Sequence, residues 1–267
     1  MKPVVLSKRL RAVTAMVTAG NRVCDVGCDH GFVSIFLAQQ GISPGVLAMD
    51  VRSGPLGAAR EHIVERGLGH LIETRLSDGL HNYNFGEADT LICAGMGGRL
   101  MMRILSDDKA KTDSFRELIL QPQSEIEQFR AWLRSQGYRI ADENMIEEDD
   151  KFYPMMRVTP GVASKCADPH EYVEELRKAL NNNAYYDIED AELCKLSDRY
   201  GPLLLIRQND TLLSYLKREE RIYEEILDNL QIQGLSDEKR KSRYEEVQVL
   251  LEGCRKALDI VTLKEEA

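Results

Sequence analysis

The chain's 267 residues allow one large domain or a medium domain with an appendage, and its 43% hydrophobic and 30% charged content is ordinary for a soluble globular protein. No apolar run approaches the ~20 residues of a membrane helix, and the start, MKPVVLSKRLRAV, lacks a signal-peptide core, so a cytoplasmic protein is expected. The net charge of −9 argues against nucleic acid, yet residues 1–22 carry Lys2, Lys8, Arg9, Arg11 and Arg22 with no acid, whereas Asp142, Glu143 and Glu147–Asp150 crowd 141–150 with no base.

In chain order, Ser7–Thr18 has apolar residues at helical spacing with Ser7 as N-cap. Arg22–Val26 reads as a strand, Phe32–Gln40 as an apolar helix and Gly45–Met49 as a second strand ending on Asp50. Gly54–Arg66 is a helix for which Ser53 is a better cap than Asp50; Leu71–Leu76 is a third strand. Ala88–Cys93 is a fourth strand and Arg99–Leu105 opens a helix; Glu117–Gln121 is a fifth strand, cut off by Pro122, before the helix Ser124–Gln136. Tyr138–Ile146 and Phe152–Thr159 flank the acidic turn Glu147–Asp150 as a closing β pair, its last strand antiparallel to the rest. The alternation predicts an α/β fold, a Rossmann-like class I methyltransferase sheet. After Pro160-Gly161 the periodicity turns helical. Asn181-Asn182-Asn183 marks a loop, Gly201-Pro202 a break, and Asn209–Leu230 and Ser236–Leu263 an antiparallel hairpin with a coiled-coil-like seam of Val247, Leu251, Cys254, Leu258 and Val261. Two domains are expected, 1–162 and a mainly helical 163–267.

The chemistry gathers at the strand ends. Strand one runs into Asp25-Val-Gly27-Cys-Asp29-His30-Gly31, a turn whose glycines permit close approach of a cofactor and whose helix N-terminus offers free N–H groups. A dinucleotide enzyme would carry GxGxxG to seat pyrophosphate; here Asp29 stands where the middle glycine belongs. Acids repel pyrophosphate but attract the ammonium and sulfonium of S-adenosylmethionine (SAM). Asp25 can orient the loop or the ammonium, Asp29 can face the cofactor, and His30 is the crevice's histidine. Asp50 can accept both ribose hydroxyls. Ser77-Asp78-Gly79 puts an acid where this fold binds the adenine amino group. Ala94-Gly95-Met96-Gly97-Gly98 follows strand four at the acceptor position; no [DNS]PP[YFW] tetrapeptide is present, and Gly95 lets a ring or the sulfonium approach while Met96 packs against it. The amide of Gln121 could hold a polar edge. The six cysteines form no CxxC pair, so free thiols and no metal are expected, and Cys93 reads as an inert core thiol.

LSKRL, DVGCDHG, SDGL, ADTLICAGMGG, LILQP and EEDDKFY together resemble the bacterial TrmK family of tRNA methyltransferases, which act on N1 of the adenine at tRNA position 22. The resemblance spans most of residues 6–160. It departs at Cys28, where a serine-like residue is expected, at Gly31-Phe32, where Ala-Tyr is common, and in a longer 164–208 segment. It implies SAM as cofactor and tRNA as partner; no membrane or metal partner is expected from the composition, and of the oligomeric states, which the sequence does not reveal, a monomer is favoured. The resemblance also implies Asp29, Gly95 and Met96 at the reacting centre, with Asp29 holding the adenine amino group or stabilising the cationic product. Lys8, Arg9, Arg11 and Arg99, with Arg103, Lys109 and Lys111, are expected to meet phosphates, and the helical hairpin to grip the tRNA body. The alternatives are a methyltransferase for another RNA or a small molecule, and a non-catalytic interaction protein on the same fold.

Overall fold

A computed structural model describes residues 3–160, 171–180, 188–234 and 237–262. The chain divides into two compact units, Met1–Pro169 and His170–Ala267. The boundary read from sequence, 162/163, falls outside the described residues, as do Asn181–Asn183 and the first and last residues of the predicted final helix.

The first unit opens with α1 (Lys8–Ala15), then β1 (Val23–Val26), α2 (Phe32–Gln39), β2 (Val46–Asp50), α3 (Ser53–Glu65), β3 (Ile72–Leu76) and β4 (Thr90–Met96). It continues through α4 (Gly98–Asp107), α5 (Lys109–Thr112), β5 (Glu117–Pro122), α6 (Ile126–Ser135), β6 (Arg139–Glu148) and β7 (Lys151–Thr159). The sheet order is β3-β2-β1-β4-β5-β7-β6; β7 runs antiparallel to both its neighbours and the other pairings are parallel. β1, β2 and β5 are buried along their whole length, because helices cover both faces of a parallel sheet. Edge strand β3 is instead buried only at Ile72, and its Glu73, Thr74 and Arg75 blunt the open edge. Val13, Val23, Ile35, Ala48, Ile63, Ile92 and Ile119 belong to one buried cluster, each Val and Ile side chain contributing about 1.5–3 kcal/mol.

Local chemistry sets the element ends. The Ser7 hydroxyl accepts from the Leu10 amide at 3.3 Å, as a helix cap should. Ser53 is not the cap of α3: Arg52 occupies that position, and Asp50 Oδ1 accepts the Arg52 amide at 2.8 Å. Strand four is longer than its apolar run suggested, since Ala94–Met96 still pair with β5 across a bulge. Between β6 and β7 the chain turns on Asp149 and Asp150, both left-handed at φ 51° and 57°. The acidic stretch is matched internally. Glu148 accepts the Lys8 and Arg9 amides at the start of α1, Lys8 Nζ donates to the Glu147 carbonyl at 2.9 Å, and the buried Arg130–Glu143 pair closes at 2.9 Å.

The second unit holds α7 (Glu171–Leu180), α8 (Asp190–Tyr200), α9 (Pro202–Ile206), α10 (Asp210–Gln233) and α11 (Glu238–Thr262). Gly201, at φ 100°, ends α8, and Pro202 starts α9. Asn209 caps α10 by accepting the Leu212 amide at 3.0 Å. The α10–α11 hairpin is antiparallel: Arg255 pairs with Glu220 and Glu224, and Gln231 meets Tyr244. Val247, Leu251, Cys254 and Val261 are buried as expected, but Ala257 and Ile260 take inward places and Leu258 is only half-buried. The hydroxyls of Tyr200, Tyr215 and Tyr223 all donate to Glu219, which also pairs with Arg199, tying α8 to α10.

Candidate active site

The carboxyl ends of β1, β2, β3 and β4 open onto one cleft of about 720 Å³, the crevice where this topology places ligands. Asp25, Gly27, Asp29, His30, Asp50, Ser77, Asp78, Gly79, Ala94, Gly95 and Met96 all line it, as does Arg9 from α1. Gly31 shapes the loop without lining the cleft: it is the left-handed N-cap of α2, at φ 74°. Of the other residues expected at the site, Lys8, Arg11, Arg99 and Gln121 do not line it.

Asp25 is buried at the end of β1 and accepts the Ser34 hydroxyl at 2.6 Å. Burial pushes its carboxyl up to about 6, Ser34 opposes that, and the nearby Asp50 charge adds to it. Asp50 is 4% exposed; one oxygen accepts the Asp29 amide at 3.1 Å and the other the Arg52 amide. Each carboxylate oxygen keeps a further acceptor site, so the geometry leaves capacity for two ribose hydroxyls. Asp29 is left-handed at φ 50°, a conformation Asp tolerates, and its exposed carboxylate lies 3.6 Å from Arg52 and 3.8 Å from His30. Asp78 is exposed and paired with Arg103 at 3.0 Å. At Gly27, φ 75°, a Cβ would lie 2.8 Å from the Met96 methyl, so the glycine lets this wall close. Gly98 is required for packing, since a Cβ there would meet the Ser124 carbonyl at 2.6 Å.

Three groups of the expected site residues have protein partners of their own. Gln121 is wholly buried and spends its amide inside the protein: Oε1 accepts Arg9 Nη1 at 2.7 Å, and Nε2 donates to the Pro122 carbonyl at 3.0 Å. It holds Arg9 rather than a substrate edge. Lys109 and Lys111 pair with Asp113 and Asp108, and Lys111 also donates to the Leu80 and His81 carbonyls. Arg99 is highly exposed, 3.4 Å from Glu125 and outside the cleft. Sequence reasoning missed Cys28, Val51, Arg52, Leu100 and Ile104 as lining residues. Position alone could have found most of them: Val51-Arg52 follow the acid of β2, and Leu100 and Ile104 share one face of α4. Burial and the surrounding acids push the Cys28 thiol up, and burial does the same for Cys93, which disfavours both as nucleophiles. Among the described residues no cluster of His, Cys, Asp and Glu could hold a metal ion, and no helix is long and apolar enough to cross a membrane.

The donor set fits SAM. The acids suit its cationic end, and Asp50 suits a diol. Residues 6–156 match the Methyltransferase domain family, to which the chain belongs. Along nearly its full length it is similar to the tRNA (adenine(22)-N(1))-methyltransferase of Bacillus subtilis, 28% identical over 263 residues, with 97% of this chain and 99% of that protein covered. The crystal structure of the B. subtilis m1A22 tRNA methyltransferase TrmK superposes with a TM-score of 0.75 at 27% identity, covering 96% of this chain and all of that one. A Streptococcus pneumoniae protein solved with S-adenosyl-L-methionine superposes at 0.74 with 25% identity, covering 95% of this chain and 100% of its own. Within the methyltransferases the chain therefore falls with the TrmK family, as its motifs indicated.

Proposed function

We propose that this protein transfers a methyl group from SAM to N1 of adenine 22 in tRNA. The observation that carries the reading is the near end-to-end similarity to the B. subtilis enzyme of that activity, joined to a cleft lined by the same strand-end acids from which SAM was inferred.

The chemistry asks little of the protein beyond positioning. SAM, when bound, supplies an electrophilic methyl group on a sulfonium, and adenine N1 carries a lone pair that needs no prior deprotonation. No prior deprotonation means that no general base is needed for the attack itself. The carboxyl groups of Asp25 and Asp50 favour a cationic, diol-bearing ligand by charge and by acceptor capacity. Gly95 permits close approach at the acceptor end, and Met96, whose methyl fills the space beside Gly27, is an apolar wall. Asp29 presents its carboxylate to the cleft, where it can accept from the adenine amino group or stabilise the positive charge of the N1-methylated ring. The adenine must leave its stack to arrive there.

Incubation with labelled SAM and unmodified tRNA, followed by mapping of reverse-transcription stops, tests this directly. A stop at adenine 22 is expected. A stop elsewhere would move the assignment to another acceptor, and SAM binding without transfer to any RNA would favour an interaction protein. Asp29→Ala should lower turnover; unchanged turnover and SAM affinity would remove Asp29 from the site.

A further inference from the structure

Three arginines line the cleft, and they are not equivalent. Arg52 faces Asp29 and Asp50 at 3.6 and 3.7 Å, and Arg103 faces Asp78 at 3.0 Å. The guanidinium of Arg9 meets no carboxylate at ion-pair distance among the described residues; the nearby acid, Glu148, takes its backbone amide instead. Its partners are neutral. Nη1 donates to Gln121 Oε1 at 2.7 Å, and the guanidinium carbon stands 5.5 Å from the centre of the Tyr153 ring. Gln121 cannot turn away easily, being wholly buried with its Nε2 committed to the Pro122 carbonyl. A Cβ on Gly95 would lie 3.4 Å from Arg9 Nη1, which puts the cation at the acceptor end of the cleft.

A half-buried guanidinium held in place by an amide and a ring keeps its full charge and most of its donors for a ligand. A cation against N1 would oppose a reaction that makes the ring positive, so the acceptor ring is a poor partner for it. A phosphate oxygen is a good one, since the planar fork matches it. We propose that Arg9 binds the phosphodiester flanking the acceptor adenosine, and that Gln121 and Tyr153 are positioning residues that aim it. The inference rests on the tRNA reading above and adds to it a defined anchor. It also gives the cleft two electrostatic ends, acidic toward the cofactor and basic toward the nucleotide backbone.

The test measures affinity for unmodified full-length tRNA across a salt series, steady-state kinetics, and SAM binding by calorimetry. Arg9→Ala should flatten the dependence of log affinity on log salt by about one unit, the loss of one phosphate contact, with SAM affinity unchanged. Gln121→Glu should flatten it similarly although Arg9 remains, because the new carboxylate neutralises the guanidinium. Gln121→Leu should keep the slope, since the charge persists, but raise KM for tRNA. Arg9→Lys should also keep the slope and raise KM. An unchanged slope in Arg9→Ala that still binds SAM overturns the proposal, as does identical behaviour of the two Gln121 variants. If the Gln121 variants lose SAM binding through misfolding, the Arg9 pair decides. A wild-type protein that binds SAM but methylates no tRNA fails the function itself, and this inference with it.

Discussion

Asp25 carries a charge where burial opposes it. With its carboxyl raised from 3.8 to about 6, the folded protein binds a proton more tightly than the unfolded chain. The resulting stability is fully present below about pH 4 and is lost as pH rises through about 6. Cofactor binding should run the other way, because the ionised carboxylate is what attracts a cation. SAM affinity at pH 5 should be about tenfold weaker than at pH 7.5, and Asp25→Asn should remove most of that difference; calorimetry at both pH values checks it. Gly27 offers a steric counterpart. Gly27→Ala puts a Cβ on a left-handed backbone and displaces the Met96 methyl, costing about 1–2 kcal/mol of folding stability, so the thermal midpoint should fall by about 2–8 °C in scanning calorimetry.

At the scale of elements, the β6–β7 hairpin matters because Glu148, at its tip, accepts the first amides of α1, the helix that brings Arg9 to the cleft. Its two-residue turn uses Asp149 and Asp150 in left-handed conformations, the pattern of a type I′ turn, where glycine is favoured at the second position. Asp150→Gly should therefore stabilise the protein by about 1 kcal/mol, raising the thermal midpoint by about 2–4 °C in scanning calorimetry. The charge contrast between residues 1–22 and 141–150 gains a concrete meaning here: part of it is a contact between α1 and the hairpin. Lys8 is engaged there, and Arg9 is freed for the cleft by a neutral partner.

For the whole molecule, the first unit has its own sheet, its own buried cluster and the entire candidate site, while the second is a separate helical assembly. We propose that the second unit supplies surface for the tRNA body. A chain ending at Pro160 should then bind SAM with unchanged affinity but bind and methylate tRNA at least about tenfold more weakly. Undiminished methylation by that shortened chain would assign tRNA recognition to the first unit alone.

The sequence by itself determined the strands and main helices of residues 1–160, the acids at three strand ends and the absence of a dinucleotide loop, but left 164–208, where α7, α8 and α9 lie, hard to read. Each of these is local: periodicity, a glycine or an acid at a turn reports its own conformation, and parallel topology then makes the strand ends converge. It also carried the family resemblance. Only the tertiary structure decided what distant side chains do to one another. Gln121 looked like a ligand contact and turned out to hold Arg9; Ser53 looked like a cap and ceded that place to Arg52; Leu258 yielded its inward place to Ala257 and Ile260. Lys109 and Lys111, expected to meet phosphates, also have acidic neighbours to pair with. Hydrogen bonding and ion pairing depend on distances of a few ångströms between segments far apart in the chain, and no spacing rule along the sequence encodes them. The difference between Arg9 and the two paired arginines of the cleft is of that kind.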